Sequence, residues 1–328
     1  MKIFKALVVG AGYMGKNHVR VLNSFENVDL VAIADTNFKI AQSVSKIYKA
    51  RPYNSLTNAL KEFTPDFVCL TTPTVSHYKL ALECIKKRIP TLIEKPITDS
   101  ITQSDKLIRH IITNKADVMI GHIERFNPVV NEIKNRIKSG ELGKVFKVHT
   151  RRFSPPSGRV NDVSVIVDLA THDIDIIQYI IGEPIQRIYS ETETFSHKKE
   201  DLMSALLRFK NGVIALAEVS WLHPTKVRHL SVVGARGSYE ANYLTQELFF
   251  YKQNSRAKTK YEPPSLYNSA DVIKIAFEAK EPLELELQSF INAIAYKKKM
   301  PVTAQEGRNA IAVAQKISRS GLLHKIIK

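Results

Sequence analysis

At 328 residues the chain is long enough for two domains with sizeable cores, and its 44% hydrophobic and 24% charged content excludes a disordered or membrane-embedded chain. No run of about 18 apolar residues suggests a membrane span, and a start that enters a strand pattern without basic, apolar and cleavage regions points to a cytoplasmic protein. The net charge of +16 admits nucleic acid, an acidic membrane or an anionic small substrate; the lysines are scattered, with Lys297 to Lys299 the densest run, and no nucleic-acid-binding motif accompanies them, which disfavours nucleic acid and membrane.

From Ile3 to Gly121, strand-like runs ("IFKALVVG", "VDLVAIAD", "DFVCLTT", "PTLIEKP", "ADVMIG") alternate with helical segments, which predicts a parallel sheet covered by helices. The first run leads into "LVVGAGYMGKNH", where Gly10, Gly12 and Gly15 form G-x-G-x-x-G between a strand and a helix. The first glycine permits the turn, the second lets a pyrophosphate approach the backbone, and the third allows close packing. Asp35, twenty residues beyond Gly15, ends the next strand where an acid would bind an adenosine ribose. It would repel a ribose phosphate, so the expected cofactor is NAD rather than NADP. Cys69 and Cys84 have neither metal-ligand nor redox spacing and read as reduced packing residues; no metal site is expected.

Open parallel sheets bind ligands beyond the carboxyl ends of their strands. Two such ends here are rich in functional groups: Thr71, Thr72 and Pro73 with His77 on the next helix, and Glu94, Lys95 and Pro96. A lysine at a strand end is commonly a solvated charge, but Lys95 lies between two turn features where a nicotinamide should sit. After the last of these strands, Arg125, Phe126 and Asn127 could bridge cofactor and substrate regions, or Asn127 could cap a helix starting at Pro128.

Beyond Val145 strand-like segments follow one another with short turns, the pattern of an antiparallel sheet with helices on one face. Inserted after the first is "VIVDLATHDIDII", Val165 to Ile177. At about 100° per residue, Asp168, His172 and Asp175 share one narrow sector of a helix that is otherwise apolar. Buried carboxylates are costly unless paired or facing a polar cavity, so the stripe reads either as a lined site or as a hydrogen-bonded structural histidine with capping aspartates. Asp173 lies off the stripe without an evident role. The polar stretch Arg256 to Pro282 reads as a surface loop, and helices near Leu283 to Tyr296 and Ala304 to Ser318 close the chain.

Through "VVGAGYMGKNH", "TTPTVSHYKLAL", "EKPI" and "DLATHDID" the sequence resembles the glucose-fructose oxidoreductase, inositol dehydrogenase and MocA family of two-domain sugar dehydrogenases. The resemblance implies a side-chain base that takes the proton of a sugar hydroxyl while its carbon gives hydride to the nicotinamide. It makes Lys95, Asp168 and His172 the catalytic set, expected to converge below the dinucleotide site. His172 is the first candidate for proton transfer, because imidazole titrates near neutral pH, and Lys95 the second; Asp168 would orient the sugar or the base. Cofactor contacts are implied for Gly10, Gly12, Tyr13, Met14, Gly15, Asp35, Thr72, Pro73, His77, Glu94 and Lys95. A narrower likeness in "GHIERFNPVV", "TRRFSPPSGRVNDVSVIVDLATHDID" and "SWLHPTKVRHL" is to the branch containing UDP-N-acetylglucosamine 3-dehydrogenases, from which "RRFSPPSGRV" departs in its serine and glycine. A diphosphate needs cationic donors, and Arg125, Asn127, Arg152, Arg159, Lys226 and Arg228 join Asp168 and His172 as candidate substrate contacts.

The expected architecture is an α/β Rossmann domain with a parallel sheet over residues 1–121, then over 122–328 an α+β domain with a large, mostly antiparallel open sheet. An apolar outer face on that sheet would be covered by another subunit, so a homodimer or homotetramer is expected. The rival functions are oxidation of a free polyol such as an inositol and a non-catalytic, dinucleotide-sensing regulatory protein.

Overall fold

The computed structural model describes residues 2–156, 164–196, 198–253 and 271–328. They form two compact units, the first running to Ile123 and including Glu281–Ala312, the second holding Glu124–Lys280 and Val313–Lys328.

The first unit alternates β1 (Phe4–Val9), α1 (Tyr13–Ser24), β2 (Val28–Ala34), α2 (Phe38–Tyr48), β3 (Arg51–Tyr53), α3 (Leu56–Glu62), β4 (Phe67–Leu70), α4 (Thr74–Lys86), β5 (Thr91–Glu94), α5 (Ile101–Asn114) and β6 (Val118–Gly121). The strands form one parallel sheet in the order β3-β2-β1-β4-β5-β6, with its topological switch between β1 and β4. Strands covered on both faces read as continuous apolar runs, and β4 and β5 are buried at every residue. Ser55 and Ser100 cap α3 and α5 by accepting the Asn58 and Gln103 amide hydrogens at 3.2 and 3.3 Å.

The second unit contains α6 (Pro128–Lys138), β7 (Val145–Phe153), α7 (Thr171–Ile181), β8 (Ile185–Glu193), β9 (Leu202–Phe209), β10 (Ile214–Ser220), β11 (Val227–Gly234), β12 (Gly237–Asn242), β13 (Glu247–Lys252) and β14 (Asp271–Lys274). Its eight-stranded sheet, ordered β14-β13-β12-β11-β7-β10-β9-β8, is antiparallel except for the parallel pair β7 and β10. Alternation along the strands separates a sealed face, with Val148, Ala205, Ala215 and Leu230, from an open one, with Leu206, Leu216, Val233 and Tyr251.

Two helices end the chain, α8 (Pro282–Ala295) and α9 (Ala304–Leu323). Here the compact units depart from the expected linear division, because Glu281–Ala312 belongs to the first. The reason is packing: Phe290 of α8 meets Phe67 of β4 edge to face, ring centroids 5.6 Å apart, and both are fully buried. The expected loop from Arg256 to Pro282 is also corrected, since it contains β14. Among the described residues no helix is long and apolar enough to cross a membrane.

Candidate functional site

The glycine turn sits at the carboxyl end of β1, and its geometry sorts the three glycines. Gly10 has φ +95°, and a Cβ there would lie 2.7 Å from the Thr71 carbonyl oxygen. At Gly15 a Cβ would lie 1.8 Å from the Gly10 carbonyl oxygen. Both positions are closed by the protein itself. Gly12 differs: it is exposed, a Cβ would meet nothing within 4 Å, and as N-cap of α1 it supplies no side-chain bond to the first-turn amides. Open space over amide donors at a helix N-terminus is what a pyrophosphate requires. We expect Gly12→Val to leave the thermal melting temperature unchanged while NAD binding, followed by nicotinamide fluorescence or calorimetry, is lost; Gly15→Ala should instead lower the melting temperature.

Asp35 lies at the end of β2 and fastens the turn. Its carboxylate accepts the Ala11 amide at 2.7 Å and the Asn37 amide at 2.8 Å. Tyr13 is exposed and Met14 half-buried on the first turn of α1, while Thr72 is half-buried and Pro73 exposed at the end of β4. Together with Gly10, Gly12 and Gly15 these residues border one rim of the first unit. The cradle, its donors and the Asp35 carboxylate fit a dinucleotide.

The other expected cofactor contacts turn inward. His77 is buried, with Nδ1 at 2.9 Å from the Pro96 carbonyl and Nε2 at 2.8 Å from that of Thr72. It thus ties two strand-end loops together. Burial pulls the imidazole below its ordinary value, against the opposing pull of the two carbonyls. Glu94 directs its carboxylate into the unit, where Oε1 accepts from His18 Nε2 at 2.8 Å and Oε2 from the Lys95 amide at 3.2 Å. Burial opposes ionisation there, but the His18 hydrogen bond and the charges of His18 and Lys95 prevail and hold the carboxyl below its usual range. Lys95 itself is half-buried, followed by a cis peptide to Pro96.

Glu286 of α8 joins this corner. Among the described residues, His18, Glu94 and Glu286 form the one trio that could offer a metal ion its ligand atoms, all within 4.8 Å of one another. No sequence motif announced it. The available signal was an acid on an apolar helix face, since Glu286 follows Leu283 and precedes Leu287 and Phe290 at helical spacing. Cys69 and Cys84 are buried thiols; burial raises both, Cys84 to about 12, so neither is a nucleophile at neutral pH.

In the second unit the aspartate-histidine segment begins as a π-helical turn, Ile166–Ala170, and continues as α7. The wider turn breaks the 100° arithmetic, and π-turns recur at functional sites. Asp168 and His172, four residues apart, are both half-buried. Asp175, expected on the same stripe, is instead sealed with Arg125: Nε and Nη2 of the guanidinium donate to its carboxylate at 2.7 and 2.6 Å. That guanidinium also lies 4.9 Å over the Tyr179 ring. Asp173, which had no evident role, is buried and accepts from Arg152 Nε at 2.7 Å, while Arg152 Nη1 donates to Glu124 at 2.8 Å. Burial would lower the Arg152 guanidinium, but Asp173 and Glu124 hold it above its ordinary value, firmly cationic.

Arg125 and Arg152, both expected at a diphosphate, are therefore spoken for inside the second unit. Asn127 is buried and caps α6, accepting the Val129 amide at 3.3 Å. Arg228 is half-buried, donating to the carbonyls of Phe153 and Val227 and to Ser154 Oγ at 2.8 Å. Burial and the nearby Arg152 charge push it down to about 10. Lys226 is exposed, and Arg159 lies outside the described residues.

Residues 4–122 match the model of an oxidoreductase family with an NAD-binding Rossmann fold, and residues 130–240 match the Gfo/Idh/MocA C-terminal domain. The UDP-N-acetylglucosamine 3-dehydrogenase of Acidithiobacillus ferrooxidans is 25% identical over 316 residues, 94% of this chain and 95% of that one. Its solved structure superimposes with a TM-score of 0.86 at 22% identity, covering 98% of both chains. The myo-inositol 2-dehydrogenase of Thermotoga maritima is 25% identical over 226 residues, 65% of this chain and 67% of its own. The WlbA dehydrogenase of Bordetella pertussis, solved with NADH and UDP-GlcNAcA, gives a TM-score of 0.81 at 20% identity over 100% of this chain and 98% of that one.

Proposed function

Since this chain belongs to the Gfo/Idh/MocA family of NAD-dependent oxidoreductases acting on sugar hydroxyls, we propose that it oxidises a secondary hydroxyl of a nucleotide-activated sugar. NAD, when bound over the glycine turn, supplies the hydride acceptor. Asp35 binds the adenosine ribose. His172 takes the proton of the substrate hydroxyl, Asp168 orients the imidazole or the sugar, and Lys95 supplies positive charge and a second proton-transfer group. The observation that carries this reading is that Asp168 and His172, four residues apart, are only half-buried, whereas the neighbouring Asp173 and Asp175 are fully buried with Arg152 and Arg125. The nucleotide is supported by the match of 94% of this chain to a UDP-sugar dehydrogenase; Lys226, Arg228 and Arg159 are the cations left to meet a diphosphate.

A second reading, oxidation of a free polyol, is favoured by the internal engagement of Arg125 and Arg152 and by the inositol dehydrogenase likeness. The test is NADH formation on UDP-N-acetylglucosamine, myo-inositol and glucose, with NAD and NADP in parallel. Turnover on the nucleotide-sugar with NAD is expected. Turnover confined to myo-inositol or glucose would replace the first reading with the second, and a preference for NADP would remove the role of Asp35.

The open face of the eight-stranded sheet carries Tyr189, Leu206, Val233 and Tyr251, each more than a third exposed, among polar residues such as His149, Glu218 and Glu240, and a mixed apolar and polar face of this kind suits contact with a second copy. A homodimer through this face is expected by size-exclusion chromatography with light scattering. Leu206→Arg, at the face's outer strands, should shift the protein to monomer; an unchanged mass would place the interface elsewhere.

A further inference from the structure

We infer that Glu286 is a positioning residue: it stands beneath the Glu94–Lys95 turn as a neutral carboxylic acid, donates its proton toward the Glu94 carboxylate, and thereby holds Lys95 in place. The inference rests on the reading of Lys95 as a functional group. Glu94 accepts at both oxygens, from His18 Nε2 at 2.8 Å and from the Lys95 amide at 3.2 Å, so it behaves as the anion of the corner. Glu286 has no exposed surface, and among the described residues neither of its oxygens has a hydrogen-bond partner. Two carboxylates in one buried site cannot both ionise, and the one without donors keeps the proton. Burial and the Glu94 charge accordingly drive Glu286 well above the usual carboxylate range.

The alternative occupant of such a trio is a metal ion, and the geometry speaks against it. Tetrahedral ligands about 2.0–2.1 Å from zinc stand about 3.3 Å apart. His18 and Glu94 are 2.8 Å apart, the length of a hydrogen bond with a proton between them. The ionisable groups facing Glu286 are His18 on α1, Glu94 at the end of β5, and Cys69 on β4, whose thiol is raised by burial and by the two glutamates; the Lys95 charge acts on Glu94.

Three variants test the assignment. Glu286→Gln keeps a donor toward Glu94 without an ionisable group, Glu286→Leu fills the space without a donor, and Glu94→Gln removes the negative charge that keeps the proton on Glu286, so the Glu286 acid should then ionise more readily. Wild type should show the infrared carbonyl stretch of a protonated carboxylic acid at neutral pH, absent from Glu286→Gln. Its absence from wild type would overturn the proposal, as would a stoichiometric metal ion in the purified protein that the variants lack. In turnover, Glu286→Leu should lose about tenfold or more in kcat with NAD binding retained, and Glu286→Gln should restore it; a Leu variant as active as wild type would overturn the positioning role.

A pH series adds an independent check. The folded state binds this proton more tightly than the unfolded chain, so the contribution is intact below the ordinary glutamate value and declines as pH rises above it. The melting temperature of Glu286→Gln should therefore gain on wild type as pH rises above the ordinary glutamate value; parallel curves would overturn the neutral acid. The infrared and melting measurements need no substrate. They stand even if the sugar assignment fails.

Discussion

Lys95→Ala should lower kcat by about 10²–10⁴-fold while leaving the protein folded and able to bind NAD, the range expected when a positioned proton-transfer group is removed. The reasoning starts from place. β5 is buried at every residue and ends at Glu94, whose carboxylate accepts the Lys95 amide, and the next peptide belongs to Pro96, whose carbonyl lies against His77. The backbone on both sides of Lys95 is thus fixed, while its side chain remains half-exposed at the carboxyl end of the parallel sheet, the region where such folds hold their ligands. Lys95→Arg separates two roles. It preserves the charge but cannot give up its proton, so it should restore activity only if Lys95 acts through its field. The companion His172→Ala should show a loss in the same range; the larger loss falls on the group that takes the substrate proton. Steady-state kinetics with NAD titrations decides, and wild-type turnover in either variant removes that residue from the mechanism.

Much of this was legible in the sequence, for reasons that particular residues make plain. Gly10, Gly12 and Gly15 are local in sequence and in space, so the turn and its open cradle could be read from spacing. The core strands of the parallel sheet announce themselves as apolar runs, whereas β3, three residues long, and β14, exposed at all four of its residues, carry little pattern. The aspartate-histidine helix was read correctly as largely buried. Its internal geometry was not, because the π-turn at Ile166–Ala170 shifts the angular register and no rule of spacing encodes it. The arginines show the deeper limit. A sequence displays a charge but not its partner: Arg125 meets Asp175 across 50 positions and Arg152 meets Asp173 across 21. An arginine beside a presumed phosphate site and an arginine locked into a core ion pair look identical until the chain is folded.

That distinction leads to the second large effect. Arg152→Leu should destabilise the protein by about 3–5 kcal/mol, because removing one partner of a buried ion pair strands the other charge away from water. The stranded groups are Asp173, 1% exposed, and Glu124, both of which accept from the guanidinium at 2.7 and 2.8 Å. Chemical denaturation measures the loss. The double variant Arg152→Met with Asp173→Leu should recover most of it, since apolar replacement of a whole buried pair is often neutral or stabilising, with Glu124 then relying on solvent and on the Asn127 side-chain amide, which already donates to it at 3.4 Å. The rescued double variant carries the functional argument. If Arg152 serves only to lock α7 and its π-turn onto β7, the double variant should turn over a nucleotide-sugar with a KM close to wild type. A guanidinium that anchored a diphosphate would be missed there, with KM rising about tenfold or more for loss of a charge-assisted contact. An unchanged KM would leave Lys226, Arg228 and Arg159 as the candidate diphosphate contacts, and a raised one would return Arg152 to the substrate despite its burial.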